Sequence, residues 1–256
     1  MSLNVQGVVV RYDGVMAVDG VELELPRGRI VSVIGPNGSG KSSLFNAISG
    51  LAPMQGGSVA TDGIDISAMT ATQRVQIGLA RTFQTPRFDP HITVRTAITC
   101  GFYPKMNSQL IASMLRLPAT QRNEARARDE YEKIVANMSL AEISDIRLGE
   151  LPMGQIRLVE VARAIASGPS YLLLDEPAAG LSGTEQQILA AAIRNMAERN
   201  IGVLLVEHNF NLVKNLAEHV VVLNRGRVLA TGTAAEMAEH PEVINVYLGG
   251  ETTQAA

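Results

Sequence analysis

The segment that most constrains the fold of this chain is a glycine-rich run near its N-terminus. The run fits the pattern G-x-x-x-x-G-K-[ST], which forms a phosphate-binding loop where a strand passes into a helix. A short apolar strand is predicted over 30–34 and a helix over 41–49, so both flanks have the required structure. The residues that we assign to the loop are Gly35, Pro36, Asn37, Gly38, Ser39, Gly40, Lys41, Ser42 and Ser43. The chain is therefore predicted to bind phosphate groups through this loop.

The residue types in the loop suit a nucleotide that is bound together with Mg²⁺. Glycines let backbone N–H groups surround phosphate oxygens, and the N-terminus of the following helix adds positive potential. Lys41 is expected to reach the β- and γ-phosphates, and Ser42 is expected to hold Mg²⁺. A chance glycine-rich turn is the alternative, and the flanking strand and helix count against it.

A second motif places two acidic residues at the end of a buried strand. The apolar run 171–174 is followed by Asp175 and Glu176. In open α/β sheets, ligands bind at the carboxyl ends of the strands. Asp175 is expected to bind Mg²⁺ directly or through water, and Glu176 to orient and deprotonate the attacking water as general base. Two adjacent carboxylates alone more often mark a solvated turn, so the catalytic interpretation depends on the loop upstream.

Strand patterns occur at both ends of the chain. Short β patterns over 8–12 and 21–25 predict an antiparallel portion at the N-terminus. A tight hairpin is predicted at Thr61-Asp62-Gly63 and a final hairpin at Asn224-Arg225-Gly226. The remaining predicted strands and helices alternate along the C-terminal half, over 171–174, 185–199, 202–206 and 210–216. Such alternation predicts an α/β fold with a mostly parallel sheet that is covered on both faces.

The middle of the chain has a different character, because helical patterns dominate there. A helix over 119–138 is charged on one side and apolar on the other. We treat the chain as a single domain over 1–256, with a helical subdomain over 86–158 inserted into a core over 1–85 and 159–235. The remainder, 236–256, is predicted to be a C-terminal helix and tail.

Composition excludes several classes of protein. The net charge of −3 gives no indication of nucleic-acid binding, so no nucleic-acid partner is expected. Cys100 is the only cysteine, which rules out an internal disulfide and favours a reducing compartment. No secretory signal is evident at the N-terminus, and no apolar run approaches the ~18 residues of a membrane span. If the protein acts at a membrane, we expect another chain to span it.

On the basis of these motifs, the chain resembles the ATP-binding subunit of an ABC transporter over nearly its whole length. That family has the signature L-S-G-G-Q before a helix, a glutamine at the entry to its helical subdomain, a switch histidine after a strand, and an aromatic residue that stacks on adenine. The matching residues here are Leu151, Pro152, Met153, Gly154 and Gln155 for the signature, then Gln84, His208 and Tyr12.

The resemblance implies a P-loop NTPase fold of the RecA-like type and a role for each matched residue. It places Tyr12 on the adenine, His208 on the γ-phosphate, and Gln84 beside Mg²⁺ or the attacking water. Together with Glu176, His208 and Gln84 form the catalytic group that the family implies, while Ser42, Gln84 and Asp175 form its metal site. Each of these residues alone has an ordinary structural explanation. The evidence for their function is that they occur in the same order as in the family.

Two positions depart from the family pattern. Pro152 stands where the signature has a serine whose hydroxyl contacts the γ-phosphate across the dimer. Proline has neither a hydroxyl nor an N–H, but it is tolerated where a helix begins. Ser182 stands where the family has the aspartate of its D-loop. We expect a weakened contact across the dimer with hydrolysis retained.

The resemblance also implies how the protein works and where. Two ATP-binding subunits, identical or different, sandwich two ATP molecules, and ATP hydrolysis drives transport through separate membrane permeases. Such a subunit is peripheral, at the cytoplasmic face of the inner membrane. The chain is most similar to subunits of branched-chain amino acid importers, which implies an indirect link to an extracellular or periplasmic substrate-binding protein. Import of amides or urea, and export of lipopolysaccharide, stay open as alternative cargoes.

Two other classes of ATPase remain as alternatives. A soluble ABC ATPase that acts on nucleic acid or ribosomes usually has two cassettes or a coiled-coil arm, and this sequence has neither. A P-loop kinase or a switch GTPase would not account for the signature segment or for His208, and the guanine-reading pattern N-K-x-D is missing from the sequence. A transport ATPase is therefore favoured.

Overall fold

The computed structural model describes residues 1–84, 88–103 and 118–248, with side chains left out at 118–124 and 247–248. It divides into two compact units. The first contains Met1–Arg81, Ser170–Glu176 and Arg194–Ala256, and the second contains Thr82–Pro169 and Pro177–Ile193. The end of the predicted C-terminal tail, from residue 249, lies outside the described residues.

The strands of the described residues all belong to the first unit. In chain order they are β1 (Ser2–Tyr12), β2 (Val15–Pro26), β3 (Ile30–Ile34), β4 (Gly56–Thr61), β5 (Ile64–Asp65), β6 (Leu79–Arg81), β7 (Tyr171–Asp175), β8 (Gly202–Val206), β9 (His219–Asn224) and β10 (Arg227–Gly232). They form two sheets. One is antiparallel with the order β2-β1-β4-β5, and the other has six strands in the order β10-β9-β3-β8-β7-β6.

The six-stranded sheet confirms the predicted mostly parallel architecture. Strands β9, β3, β8, β7 and β6 pair in parallel, and only β10 at the edge is antiparallel to its neighbour β9. Every residue of β3, β7 and β8 is buried, as expected for parallel strands that are covered on both faces. This sheet brings the end of β3, which leads into the glycine-rich loop, to the same edge as the end of β7.

Helices of the first unit flank these strands. They are α1 (Lys41–Ile48), α2 (Ala71–Gln76), α7 (Phe210–Leu216), α8 (Ala234–Glu239) and α9 (Pro241–Leu248). Leu44, Phe45 and Ile48 of α1 are buried in one core cluster with apolar residues of both sheets. Burying each such side chain contributes about 1.5–3 kcal/mol, so α1 is firmly packed directly after the loop.

Both predicted hairpins are present, with Asp62-Gly63 and Arg225-Gly226 as the central residues of their turns. The four residues have positive φ angles, 52° and 85° in the first turn and 47° and 82° in the second. Positive φ at both central residues is typical of a type I′ turn, whose twist matches that of the paired strands. In place of one predicted C-terminal helix, the chain forms two helices, α8 and α9, which are separated at His240. Pro241 lacks the N–H that a continuous helix would need.

The second unit is mainly helical among its described residues. It contains α3 (Val94–Thr99), α4 (Pro118–Asn137) and α5 (Met153–Ala166), while α6 (Gly183–Glu198) begins there and ends in the first unit. The apolar face predicted for α4 is buried, including Tyr131, Ile134 and Val135. Within the described ranges, every helix is too short or too polar to cross a membrane.

Candidate active site

The glycine-rich loop adopts a conformation that depends on its glycines. Gly38 and Gly40 have φ angles of 77° and 104°, in the region that favours glycine. A Cβ atom at Gly40 would collide with the carbonyl oxygen of Ala17 in β2. The backbone N–H of Gly226 donates to the carbonyl of Ser39 at 2.9 Å. The β2 strand and the turn between β9 and β10 therefore hold this loop in shape.

Lys41 lies at the first position of α1 with its side chain folded back on the loop. Its Nζ donates to the carbonyl oxygens of Gly35 at 2.7 Å and Pro36 at 3.0 Å. Burial lowers the pKa of Lys41, while the negative charges of Glu176 and Asp175 oppose that shift. The ammonium group is thus held beside the loop and within electrostatic reach of both acids, where it suits a phosphate ligand.

The two acids at the end of β7 have different surroundings. Asp175 is buried and forms an ion pair with Arg81 of β6, with 2.9 Å between Nη2 and Oδ2. Burial raises the pKa of Asp175, the charge of Arg81 opposes the shift, and the charge of Glu176 adds to it. Glu176 has a φ of 47°, which is uncommon for a residue with a side chain. Its N–H donates to the carbonyl of Val206 at 2.9 Å.

The predicted switch histidine follows β8, the strand next to β7. Nδ1 of His208 lies 4.0 Å from Oε2 of Glu176 and 3.9 Å from Oε2 of Glu207. The His208 side chain is 66% exposed, so an arriving ligand can reach it. The structure therefore brings together Lys41, Asp175, Glu176 and His208 at the carboxyl edge of the parallel sheet.

Tyr12 is the last residue of β1 and pairs with Val15 across a tight turn. The turn residues Asp13 and Gly14 have positive φ angles of 46° and 85°. Tyr12 is 42% exposed. This exposure is compatible with the stacking on adenine that the family resemblance implies.

Gln84 belongs to the second unit, where two buried charged residues of α5 hold its backbone. Arg157 donates to the carbonyl of Phe83 at 2.8 Å and to the carbonyl of Gln84. Glu160 accepts the N–H of Phe83 at 2.9 Å and lies 3.5 Å from Arg157. Burial raises the pKa of Glu160, and the Phe83 N–H and the Arg157 charge oppose that shift. The segment that carries Gln84 is thus tied to the same helix that follows the signature.

The signature segment leads into α5 with Pro152 as its N-cap. Pro152 provides no side-chain cap, and its carbonyl accepts from the N–H of Ile156 at 3.2 Å. Gly154 lies close to α6, since a Cβ there would be 2.6 Å from Oε2 of Glu185. That same carboxylate oxygen accepts from the N–H and the hydroxyl of Ser182, each at 2.8 Å. Gly154 of the signature and Ser182, one of the two positions that depart from the family pattern, therefore lie near one shared carboxylate.

Comparison with known proteins assigns this arrangement to a family. The profile described as "ABC transporter" matches residues 18–179, and that described as "Branched-chain amino acid ATP-binding cassette transporter" matches residues 227–253. The chain is a member of the ABC transporter ATP-binding family. Its members are ATPases, so the acids and the loop described above belong to an ATP-hydrolysing subunit.

Individual relatives and structures agree with this assignment. The chain is 36% identical to the high-affinity branched-chain amino acid transport ATP-binding protein BraF of Pseudomonas aeruginosa, over 96% of this chain and 97% of that protein. LivG of Escherichia coli, which has the same description, is 33% identical with the same coverage. A structure of the ADP conformation of an ATP-binding cassette of an ABC transporter superposes with a TM-score of 0.82 and 27% identity, over 97% of this chain and 99% of that one. The ABC ATPase fold is thereby confirmed.

The donor groups in this ABC ATPase site suit Mg²⁺. Ser42 and Asp175 supply a hydroxyl and a carboxylate, and Mg²⁺ prefers such oxygen ligands. Mg²⁺ typically binds through one or two carboxylates together with the phosphates of its substrate. The described part of the chain contains no cluster of three or more His, Cys, Asp or Glu residues that could hold a metal ion.

Several residues of this ABC ATPase were not identified from the sequence as parts of its site. Arg81, Arg157, Glu160 and Glu185 each contact a predicted site residue or its neighbour. For Arg81, Arg157 and Glu160 the only sequence signal is a charge beside or within an apolar run, as with Glu160 between Val159 and Val161. Glu185 lies among polar residues and has no such signal. Charged residues are rarely buried unless they are paired, so such positions predict a partner without naming it.

Proposed function

We propose that this ABC ATPase energises the import of branched-chain amino acids through separate membrane permeases. The observation that carries the proposal is the similarity over 96% of the chain to proteins described as branched-chain amino acid transport ATP-binding proteins. The match of residues 227–253 to the branched-chain family supports it in the C-terminal region. The proposed location is peripheral, at the cytoplasmic face of the inner membrane, because import requires the ATPase to meet permeases there.

Each site residue has a proposed task in hydrolysis. The loop and Lys41 bind the phosphates, and Tyr12 stacks on adenine. Ser42, Gln84 and Asp175 would hold Mg²⁺, which neutralises charge on the phosphates when it is bound. Glu176 accepts the proton of the attacking water, and His208 donates a hydrogen bond to the γ-phosphate.

These tasks are assigned to three regions of the chain. The nucleotide-binding core is proposed over 1–85 and 159–235, the helical subdomain over 86–158, and a C-terminal helix and tail over 236–256. The helical subdomain would carry the signature segment, Leu151 to Gln155, to the ATP of a second subunit. Because that contact requires two subunits, ATP favours the closed pair, and hydrolysis releases it.

The test of the cargo is an uptake experiment with labelled leucine, isoleucine and valine. The gene is deleted in the source organism, and the chain is returned either unchanged or as Glu176→Gln. We expect loss of uptake on deletion, recovery with the unchanged chain, and no recovery with Glu176→Gln. As a matched control, Glu198→Gln changes an exposed glutamate at the end of α6 and should restore uptake fully.

Other cargoes give different results in the same strains. Unchanged amino acid uptake with loss of amide or urea uptake would contradict the branched-chain proposal, although not the ABC ATPase assignment. Isolation of the tagged chain tests its partners, and we expect membrane permeases and no nucleic acid. Recovery of nucleic acid without any membrane protein would contradict a transport function.

A further inference from the structure

We propose that Arg81 is a positioning residue that fixes Asp175 for metal binding by joining it to the C-terminal end of α1. The inference rests on the proposed role of Asp175 as a ligand of Mg²⁺. It concerns how two proposed ligands, Ser42 on α1 and Asp175 on β7, are held in a fixed relation.

The guanidinium of Arg81 contacts two elements besides its own strand. Nη2 donates to Oδ2 of Asp175 at 2.9 Å. Nη1 donates to Oδ1 of Asn46 at 2.7 Å and to the hydroxyl of Ser49 at 2.9 Å. Its carbon atom Cζ also lies 5.6 Å from the ring centroid of Phe45. Arg81 at the end of β6 therefore links the end of β7 to the last turn and C-cap of α1.

This link is buried, with the Arg81 and Asp175 side chains only 8% and 4% exposed. A buried ion pair is retained at a cost in desolvation, and it is tolerated only when further hydrogen bonds satisfy both partners. Here the hydroxyl that receives Arg81 is itself fixed, because Ser49 donates to the carbonyl of Phe45 at 2.7 Å. The bonds thus form a connected network rather than an isolated pair.

Ser42 and Asp175 lie on different elements, so the distance between them depends on contacts that join α1 to β7. Ser42 is the second residue of α1, and Arg81 binds the other end of that short, packed helix. A helix of this length moves as one body, so a restraint at its end also limits the position of Ser42. Arginine suits this role better than lysine, because its rigid fork reaches acceptors on separate elements.

The test compares Arg81→Met and Arg81→Lys with a matched control, Arg74→Met. Arg74 is another buried arginine at the same end of α1, and it donates to the carbonyls of Ala47 and Ile48 at 2.7 and 2.6 Å. Losing Arg74 should destabilise that helix end without removing a contact to Asp175. Thermal unfolding of all variants shows whether each one folds.

The decisive readout is the affinity for Mn²⁺ of the protein–ADP complex, measured by electron paramagnetic resonance with protein in excess over ADP. Replacing a residue that orients a metal ligand typically weakens metal binding ~10–100-fold, and we expect at least ~10-fold for Arg81→Met. Arg81→Lys should also bind Mn²⁺ more weakly than the unchanged chain. ADP affinity in EDTA should be unchanged in both. Arg74→Met loosens the same helix end but keeps the contact to Asp175, so it should lose clearly less Mn²⁺ affinity than Arg81→Met.

Several outcomes would overturn the proposal. Unchanged or tighter Mn²⁺ binding in Arg81→Met would show that Arg81 does not position the ligand. An Mn²⁺ affinity in Arg81→Lys equal to that of the unchanged chain would show that the positive charge alone is sufficient. A loss of Mn²⁺ affinity in Arg74→Met as large as that in Arg81→Met would show that general loosening of α1 is the cause. Asp175→Asn is measured in parallel, because an unchanged Mn²⁺ affinity there would refute the proposed metal role of Asp175 itself.

Discussion

The phenol hydroxyl of Tyr171 donates a hydrogen bond to the carboxylate of Asp62, which also accepts one from Arg27. The Arg27 guanidinium lies 5.5 Å from the centroid of the Tyr171 ring. Tyr171 is the first residue of β7, the strand whose last residue is Asp175. This group of three side chains therefore anchors the start of the strand that presents the acids of the active site.

Tyr171→Phe should destabilise the protein in a pH-dependent manner. Burial, with the Asp62 bond adding to it, raises the pKa of Tyr171 to about 12. An unfolded tyrosine has a pKa of about 10, so between about pH 10 and 12 only the unfolded state loses the proton, and stability falls by about 1.4 kcal/mol per pH unit. Below pH 10 the unchanged chain should be more stable than the variant by about 1–3 kcal/mol. Urea unfolding at pH 8 and pH 11 should show this gap shrinking, and a constant gap would contradict the assignment.

Gly40→Ala should disrupt the phosphate-binding loop. The substitution places a side chain at a φ of 104° and against the carbonyl of Ala17, which should cost about 1–3 kcal/mol and distort the loop. Binding of a fluorescent ATP analogue should be lost. Gly183→Ala, where a Cβ would meet nothing within 4 Å, is the control and should bind normally. Normal binding by Gly40→Ala would show that the loop does not need this conformation.

Pro152→Ser should increase hydrolysis. A serine at this N-cap would supply both the side-chain cap that Pro152 lacks, worth about 1 kcal/mol, and the hydroxyl that the family signature uses. We expect a higher ATPase rate at low protein concentration, where the proposed pairing of subunits should limit turnover. Pro152→Ala, which adds no hydroxyl, should resemble the unchanged chain. Equal rates in the serine and alanine variants would mean that the hydroxyl contributes nothing.

Glu160→Ala should destabilise the second unit through the segment that carries Gln84. The variant leaves Arg157 and the Phe83 N–H without their buried carboxylate, and breaking a buried pair costs about 3–5 kcal/mol. Asp145→Ala is the surface control, because its exposed pair with Arg95 should contribute no more than about 1 kcal/mol. Chemical denaturation gives the free energy of unfolding of both variants. A similar decrease in the two would contradict a special role for the buried pair.

The core of the fold follows from local sequence patterns. Strands β3 and β8 were predicted with their observed bounds, because each is a short, mostly apolar run between turn residues. Strand β6, by contrast, has three residues, and its parallel pairing with β7 rather than local propensity creates it. Helix α2 was also not predicted, since its capping box at Thr70 and Gln73 lies in a short polar stretch.

The active site was predictable where a motif is contiguous and not where partners are distant. The loop and Asp175–Glu176 are each read from neighbouring residues. Arg81 and Asp175 are 94 positions apart, and only the parallel pairing of β6 with β7 brings them together. Glu176 likewise has a left-handed backbone and a bond to Val206 on another strand, and no local pattern indicates either.

The most direct test of the central claim is ATP hydrolysis by the purified chain, unchanged and as Glu176→Gln, over a range of protein concentrations. Pairing of two copies should make the rate per chain rise with concentration. A general base typically contributes at least ~100-fold, so we predict a loss of that size in Glu176→Gln, with binding of ATP retained. Turnover close to that of the unchanged chain would contradict the assignment of Glu176 as the base.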